Sequence, residues 1–518
     1  MTDDEAPVPA LAERARRCAR RLAAAEEVLL ASHIDADGLT SGATAATMLE
    51  RAGVPFEATF HDQLDAEAVA AVAAREPEVA LFTDFGSGQL DLIGEHTDAF
   101  EPVVIDHHQP VAAAETPFDA RDGYADPEFH CNPLLAGVDG TSELSGAGAT
   151  YLVARALAET GHGPADTASA SADADDREPR AATDGGVRAT LAGEPDPRNR
   201  DLAALAVVGA VGDMQASGGE LVGANRAIAA EGEAAGVVET ARDLALFGKQ
   251  TRPLPKLLEY ASDVHVPGIS NDEHGAMRFL DGLDLEVKRD GDWRRWVDLA
   301  PAERRTLVSA LLREAVDRGV PASEAEGLVA TTYTLPREPA RTELRDASEF
   351  STLLNATARY ERADVGLAVC LGDRDGALDR ARRLLSTHRR NLSAGIDYVR
   401  ETGVTREENV QWFHAGEEIR ETIVGIVAGM AVGTDGIDRA TPIVAFADAG
   451  EGEVKVSARG TPGLVRQGLD LSAVMSGAAR TVGGDGGGHD VAAGATVPKG
   501  REEEFVAEAD GIVGEQLS

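Results

Sequence analysis

Lysine is nearly missing from this 518-residue chain. Only Lys249, Lys256, Lys288, Lys455 and Lys499 are present, so almost all of the 49 positive charges are arginine. Cysteine is scarce as well. Cys18, Cys131 and Cys370 stand far apart without CxxC spacing, which argues against a disulfide scaffold or a zinc ribbon. The longest apolar run, 423–432, is broken by Gly425 and Gly429 and is too short to span a bilayer. The first residues, Met-Thr-Asp-Asp-Glu-Ala, lack the basic and apolar regions of a signal peptide, so a cytoplasmic protein without a membrane partner is expected.

What the chain has in excess is negative charge. Acidic residues outnumber basic ones 89 to 49, a formal net charge of −40. Such a chain repels itself at low ionic strength, and dense salt screens that repulsion over a Debye length of about 3 Å at 1 M. Many carboxylates, few lysines and much alanine and glycine resemble the proteins of salt-loving archaea. An acidic protein of an ordinary high-GC organism is the alternative. In either case the global charge argues against general affinity for nucleic acid, so any such site must be local.

The length predicts two or three domains of roughly 100–200 residues each. Up to about residue 160, short apolar runs (28–32, 79–83 and 103–105) alternate with alanine-rich helical stretches (41–51 and 64–75). That pattern predicts an α/β fold with a parallel sheet covered by helices. Residues 162–199 are rich in Asp, Ala, Ser and Pro and read as a disordered acidic insert within a first domain of 1–235. A helical run follows over 201–214. A mostly helical middle is expected over 236–345, with Leu307, Leu311 and Ala315 on one face. From 346 to 518 a second, smaller α/β domain is expected, with strands near 365–370, 443–446 and 454–456.

Four segments carry unusual polar residues where a strand or helix gives way to a loop. They are Ser32-His33-Ile34-Asp35-Ala36-Asp37-Gly38, Thr83-Asp84-Phe85-Gly86, Asp106-His107-His108 and Gly212-Asp213-Met214. Singly, each has an ordinary structural explanation as a turn, a helix cap or a surface pair. Together they supply what two closely spaced hard cations need: several carboxylates, one of them shared, with imidazoles completing the shells. The mixture of Asp and His suits Mn²⁺ better than Mg²⁺, which prefers oxygen ligands.

In this order the four segments resemble the DHH phosphoesterase superfamily, and within it the RecJ-like single-strand exonucleases. The resemblance implies that His33 and Asp35 serve one divalent metal ion, that Asp37, His107 and Asp213 serve a second, and that Asp84 bridges both. His108 would face the scissile phosphate and, with Asp84 and Asp37, form the catalytic set. The stretch Gly486-Gly487-Gly488-His489, followed by Ala492-Ala493-Gly494, looks like the signature of the DHH-associated domain that grips the substrate strand. Successive glycine amides can approach a phosphate closely because no Cβ intervenes. Ser457 and Arg459 are further candidates for phosphate contacts. Residues 348–373, which contain Leu-Leu-Asn-Ala-Thr-Ala-Arg, look like the opening of that second domain.

The implied activity is metal-assisted hydrolysis of the terminal phosphodiester of single-stranded DNA or RNA, in a cleft between the domains, with replication or repair proteins as further partners. Two alternatives stay open: a phosphoesterase of short oligonucleotides or cyclic dinucleotides, and a replication-complex component that mainly docks partners. The cluster Trp293-Arg294-Arg295-Trp296 either stacks bases or forms a helix-packing corner.

Overall fold

The computed structural model describes residues 6–160 and 194–517, apart from 217, 262, 263, 433, 435 and 451. The chain divides into two compact units, Met1–Ala381 and Arg382–Ser518. Among the described residues no helix is long and apolar enough to cross a membrane.

The first unit opens with α1 (Ala12–Ala23), β1 (Val28–His33), α2 (Ala36–Ala52), β2 (Phe56–His61), α3 (Ala66–Ala73) and β3 (Val79–Thr83). The short α4 (Leu90–Gly94), β4 (Glu101–Ile105), the paired two-residue strands β5 (Ala120–Arg121) and β6 (Tyr124–Ala125), and β7 (His130–Cys131) follow. The sheet order is β2-β1-β3-β4-β7, with every neighbouring pair parallel. The expected parallel α/β sheet is therefore present. β3 is buried along its whole length, as a strand covered on both faces should be. One covering layer joins Phe82 and Val104 to Val69, Val72, Leu90 and Ile93.

On the other face lies α2, surrounded by α5 (Gly146–Ala158) and α6 (Ala203–Gly212), with α7 (Gly223–Ala234) beyond α6. Residues 36 to 49 of α2 are all buried. Small side chains permit this: Ala, Gly, Ser and Thr let helix axes approach closely. The Thr40 and Thr47 hydroxyls donate to the Ala36 and Ala43 carbonyls, so they cost little in the interior.

The acidic insert expected over 162–199 lies outside the described residues as far as 193. Its last residues, 194–199, belong to the fold instead. Asn199 is buried, donates to the Ala154 carbonyl at 2.8 Å and accepts from Arg51, while Asp196 pairs with Arg200.

The middle of the chain has its own core, built on Leu257, Leu280, Trp296, Leu307 and Leu311. It gathers α8 (Leu254–Glu259), α9 (Glu273–Asp281), α10 (Pro301–Asp317) and α11 (Ala322–Ala325). Two antiparallel pairs accompany these helices: β8 (Glu239–Leu244) with β11 (Val329–Thr334), and β9 (Lys288–Arg289) with β10 (Asp292–Trp293). The helical expectation misses β8 and β11 because their partners are about ninety residues apart and their burial does not alternate cleanly. Trp296 is buried and donates to Asp243 at 2.9 Å, and buried Arg294 is paired with Glu303. That cluster is a packing corner.

After the middle region, α12 (Ala347–Ala358) and α13 (Ala363–Cys370) pack on α2, and α12 also on α6. The strand expected over 365–370 is thus corrected to a helix. A short apolar run is compatible with either form, and here Val365, Val369 and Cys370 are buried at helical spacing.

The helix Gly376–Thr402 crosses the unit boundary. In the second unit a six-stranded sheet runs in the order Thr405–Arg406, Gln411–His414, Ile443–Ala449, Glu453–Arg459, Ala492–Pro498, Asp485–Gly488. Only the second and third of these pair in parallel. One face packs Phe446, Val456 and Val497 against the helices Leu471–Thr481 and Glu502–Leu517, and the other packs Ala445 and Ala447 beneath Glu421–Ala431.

Candidate metal centre

Strand order reverses between β1 and β3, and a crevice opens beyond the carboxyl ends of strands at such a point. The unusual residues of all four segments converge there. His33 ends β1, Asp35 caps α2 and Asp37 lies in its first turn. Asp84 directly follows β3 with a left-handed φ of 63°. His107 and His108 follow β4, and Asp213 closes the C-terminus of α6.

Two groups of donor atoms result, each lying within 4.8 Å: His33, Asp35 and Asp84, and Asp37, His107 and Asp213. Asp84 stands between them. Its Oδ2 is 3.5 Å from His33 Nδ1, and its Oδ1 is 3.4 Å from His107 Nε2. That Oδ1 is buried and has no hydrogen-bond partner. A buried, unpartnered carboxylate oxygen is costly. A cation between the groups would satisfy it, so this donor set fits divalent metal.

The surroundings hold each donor in place. The amides of Gly146 and Ala147, at the start of α5, donate to Asp37 at 2.7 and 3.1 Å, adding the positive end of a helix dipole. His107 Nδ1 lies 2.6 Å from the Gly140 carbonyl and donates to it, which turns Nε2 toward the carboxylates. Gln215 donates to that carbonyl and to Asp213, and accepts from Asn225. Two glycines make room. A Cβ on Gly146 would fall 2.2 Å from Asp84 Oδ1, and one on Gly209 would fall 2.3 Å from Asp37 Oδ1.

Electrostatics show how crowded the centre is. Burial, followed by the charges of Asp84 and Asp213, pushes the Asp37 carboxyl well above the usual carboxylate range. Burial also raises Asp213 to about 6, with His107 pulling the other way. Burial works against charge on Asp84, yet the imidazoles facing it hold it well below the usual range. Burial likewise opposes charge on His33, but Asp35 and Asp84 push its pKa up to about 11. Protons and imidazolium here occupy the place of positive charge, and a divalent ion would displace them.

His108 is set apart. Its Nδ1 bonds to Asp106 Oδ1 at 2.8 Å and its side chain is half exposed, so Nε2 is left for other contacts. The charge of Asp106 raises the His108 pKa. Asp106 has no role in the sequence reading. Although it lies near Asp84, His107 and His108, its oxygens are already taken by the amides of Ser87, His107 and His108 and by the His108 ring. It braces the pair after it. Asn132 adds to this by donating to the His108 carbonyl and to Ser87, whose hydroxyl meets His130. An Asp directly before two imidazoles at a strand end is a usable signal. Nothing in the sequence marks Asn132, Ser87 or Gln215.

The remaining candidates lie in the second unit. Gly486, Gly487 and Gly488 form an edge strand, with Gly487 opposite Gly494 and Gly494 opposite Ser457. A Cβ on Gly487 would meet nothing within 4 Å, whereas one on Gly486 or Gly488 would strike the neighbouring strand. Arg459 and Ser457 lie against Gly425, where a Cβ would come within 2.5 Å of the guanidinium and 2.9 Å of the hydroxyl. Thus Gly487, Ser457 and Arg459 share a face, while His489 is exposed just past the strand.

A switch-point centre of Asp and His on a parallel sheet, a helical middle and a second α/β unit give the chain the architecture of RecJ-like proteins of the DHH superfamily. Enzymes of that superfamily generally act on phosphoester bonds. Residues 246–329 match the DHH-CID domain and residues 409–515 the DHHA1 domain. The chain is 29% identical over 491 residues to the uncharacterized protein MJ0831 of Methanocaldococcus jannaschii, covering 94% of this chain and 93% of that one. Two solved structures share the fold. RecJ of Thermus thermophilus in complex with Mn²⁺ has a TM-score of 0.56 at 17% identity; the likeness covers 98% of this chain and 55% of the RecJ chain. CDC45 of Entamoeba histolytica has a TM-score of 0.58 at 11% identity, covering 97% of each chain.

Proposed function

We propose that this protein is a divalent-metal-dependent exonuclease that hydrolyses the terminal phosphodiester of single-stranded nucleic acid. The observation that carries the reading is the shared carboxylate Asp84, with one oxygen turned to each donor group and Oδ1 otherwise unpartnered. His33, Asp35 and Asp84 would hold one ion, and Asp37, His107 and Asp213, with Asp84 again, a second. Imidazole in both sets favours Mn²⁺ over Mg²⁺. Bound there, the ions supply Lewis-acid charge neutralisation and lower the pKa of water.

The chain's own groups do the rest. His108, whose pKa Asp106 raises, donates from Nε2 to a phosphoryl oxygen as negative charge develops on it. Gly140 and Gln215 keep the His107 ring and Asp213 directed inward. In the second unit, the Gly487 backbone, Ser457 and Arg459 supply uncharged and cationic contacts for phosphates, with Gly486, Gly488 and His489 shaping that edge.

The similarity to CDC45 supports a second reading, a component of a replication assembly. All seven Asp and His positions of the centre are filled here, which favours catalysis. The test is end-labelled single-stranded DNA and RNA with protein and Mn²⁺ in multimolar KCl, beside Asp84→Ala and His108→Ala. Mononucleotides should leave one end only, and Asp84→Ala should lose turnover and Mn²⁺ binding together. His108→Ala should lose about 10²–10³-fold in turnover while keeping the metal. Full turnover by Asp84→Ala would sink the scheme. A wild-type protein that binds Mn²⁺ but degrades no strand would favour the assembly role.

A further inference from the structure

Helix α12 reaches the metal centre from far along the chain. Asn355 Oδ1 accepts from the backbone N–H of Ala36 at 3.0 Å, across 319 residues of sequence. Ala36 is the first residue of α2, and the opening amides of a helix have no partner within it. Asp35, the capping residue, is already committed to the Gly38 amide at 2.8 Å. The Asn355 side chain thus takes up the Ala36 amide in place of the cap.

The position of that amide matters. The peptide between Asp35 and Ala36 joins a carboxylate of one donor group to Asp37 of the other. Asp37 is pinned separately by the amides of Gly146 and Ala147. What remains to be set is where Asp35 stands relative to Asp37, and Asn355 holds the intervening amide.

α12 is suited to this because it is firmly seated. Phe350, Leu353, Leu354 and Thr357 are buried along it. Asp346 caps its first turn, and Glu349 accepts from the Gln250 amide at 2.8 Å. The approach to α2 and α6 is close: a Cβ on Gly212 would fall 2.8 Å from the Ala36 Cβ and 3.1 Å from the Ser351 Cβ.

We propose that Asn355 is a positioning residue that fixes the spacing of the two donor groups, and so sets their affinity for divalent metal. This rests on the metal-centre reading above. Outer-shell partners of metal ligands typically carry about 10–100-fold in affinity.

The experiment titrates Mn²⁺ alone into the metal-stripped full chain, followed by calorimetry or by the Mn²⁺ paramagnetic resonance signal. Wild type is compared with Asn355→Ala, Asn355→Leu, Asn355→Asp and Asp84→Ala, and thermal unfolding in EDTA is recorded for each. Asn355→Ala should bind Mn²⁺ about 10-fold or more weakly with little change in unfolding temperature. Asn355→Leu, which fills the space without an acceptor, should do the same and serves if the alanine protein folds poorly. Asn355→Asp keeps the acceptor and should bind close to wild type. Wild-type affinity in the Ala and Leu proteins, with binding lost in Asp84→Ala, would overturn the positioning role and leave the metal centre standing. An Asp protein as weak as the Ala protein would overturn it too. Undiminished binding by Asp84→Ala would remove the metal-centre reading, and the role of Asn355 with it.

Discussion

A half-exposed imidazole holds its proton more tightly when something nearby stabilises the charge. For His108 that is buried Asp106, whose own carboxyl is held well below the usual range: burial opposes its charge, but His108 and neighbouring amides outweigh burial. Asp106→Asn keeps the shape and removes the charge, so it should lower turnover while Mn²⁺ binding persists. Mn²⁺ titration beside the end-label assay checks this, and unchanged turnover would show that His108 works without its neighbour. Glu349 presents the opposite case. Burial, with Asp346 beside it, raises its carboxyl from the ordinary 4.5 to about 7. The folded state therefore holds a proton that the unfolded state has released. The stabilisation is complete below about 4.5 and is lost as pH rises through about 7, on the order of 3 kcal/mol in all. Glu349→Gln should flatten that slope in denaturant unfolding between pH 5 and 8. An unchanged slope would show that Glu349 is ionised throughout. The residue types around the centre were legible as chemistry, since carboxylates and imidazoles at element ends are unusual. Their braces were not, because an amide or hydroxyl such as Asn132 or Ser87 looks the same on any surface.

At the scale of elements, α2 explains why the centre can be so compact. It presents Ala, Gly and Thr to its neighbours α5, α6, β1 and β3, so that Asp37 in α2, Asp84 after β3 and Asp213 at the end of α6 come close together. Gly209→Ala should break this, since its Cβ would fall 2.3 Å from Asp37 Oδ1 and 2.5 Å from Thr40 Oγ1. The expected result is about 1–3 kcal/mol of lost stability together with weaker Mn²⁺ binding. Denaturant unfolding and metal titration read both, and wild-type values in each would show that α6 shifts freely. Element type was readable where periodicity was long or burial continuous, as for β1, β3, β4 and α10. It failed at α13, a short apolar run in which helix and strand look alike. It failed again at β8 and β11, which make sense only as a pair.

For the whole molecule, charge is the dominant fact. With a net −40 the folded chain pushes against itself, and its many arginine–carboxylate pairs offset only part of this. The unfolding temperature should rise by about 10 °C between 0.1 and 2 M KCl, a few kcal/mol for a chain of this size. Scanning calorimetry at fixed pH checks it, and a flat or falling curve would show that self-repulsion is unimportant. The sequence by itself determined this charge balance, the parallel α/β pattern and the chemical nature of the candidate metal donors, because composition and short-range spacing are local properties of the chain. The tertiary structure alone decided that Asp84 turns one oxygen to each donor group, and that Asn355 meets Ala36 from 319 positions away. It also decided that the helices near 350–370 pack on α2. Those are distances between residues remote in sequence, and they exist only once the sheet order and helix packing bring their elements together.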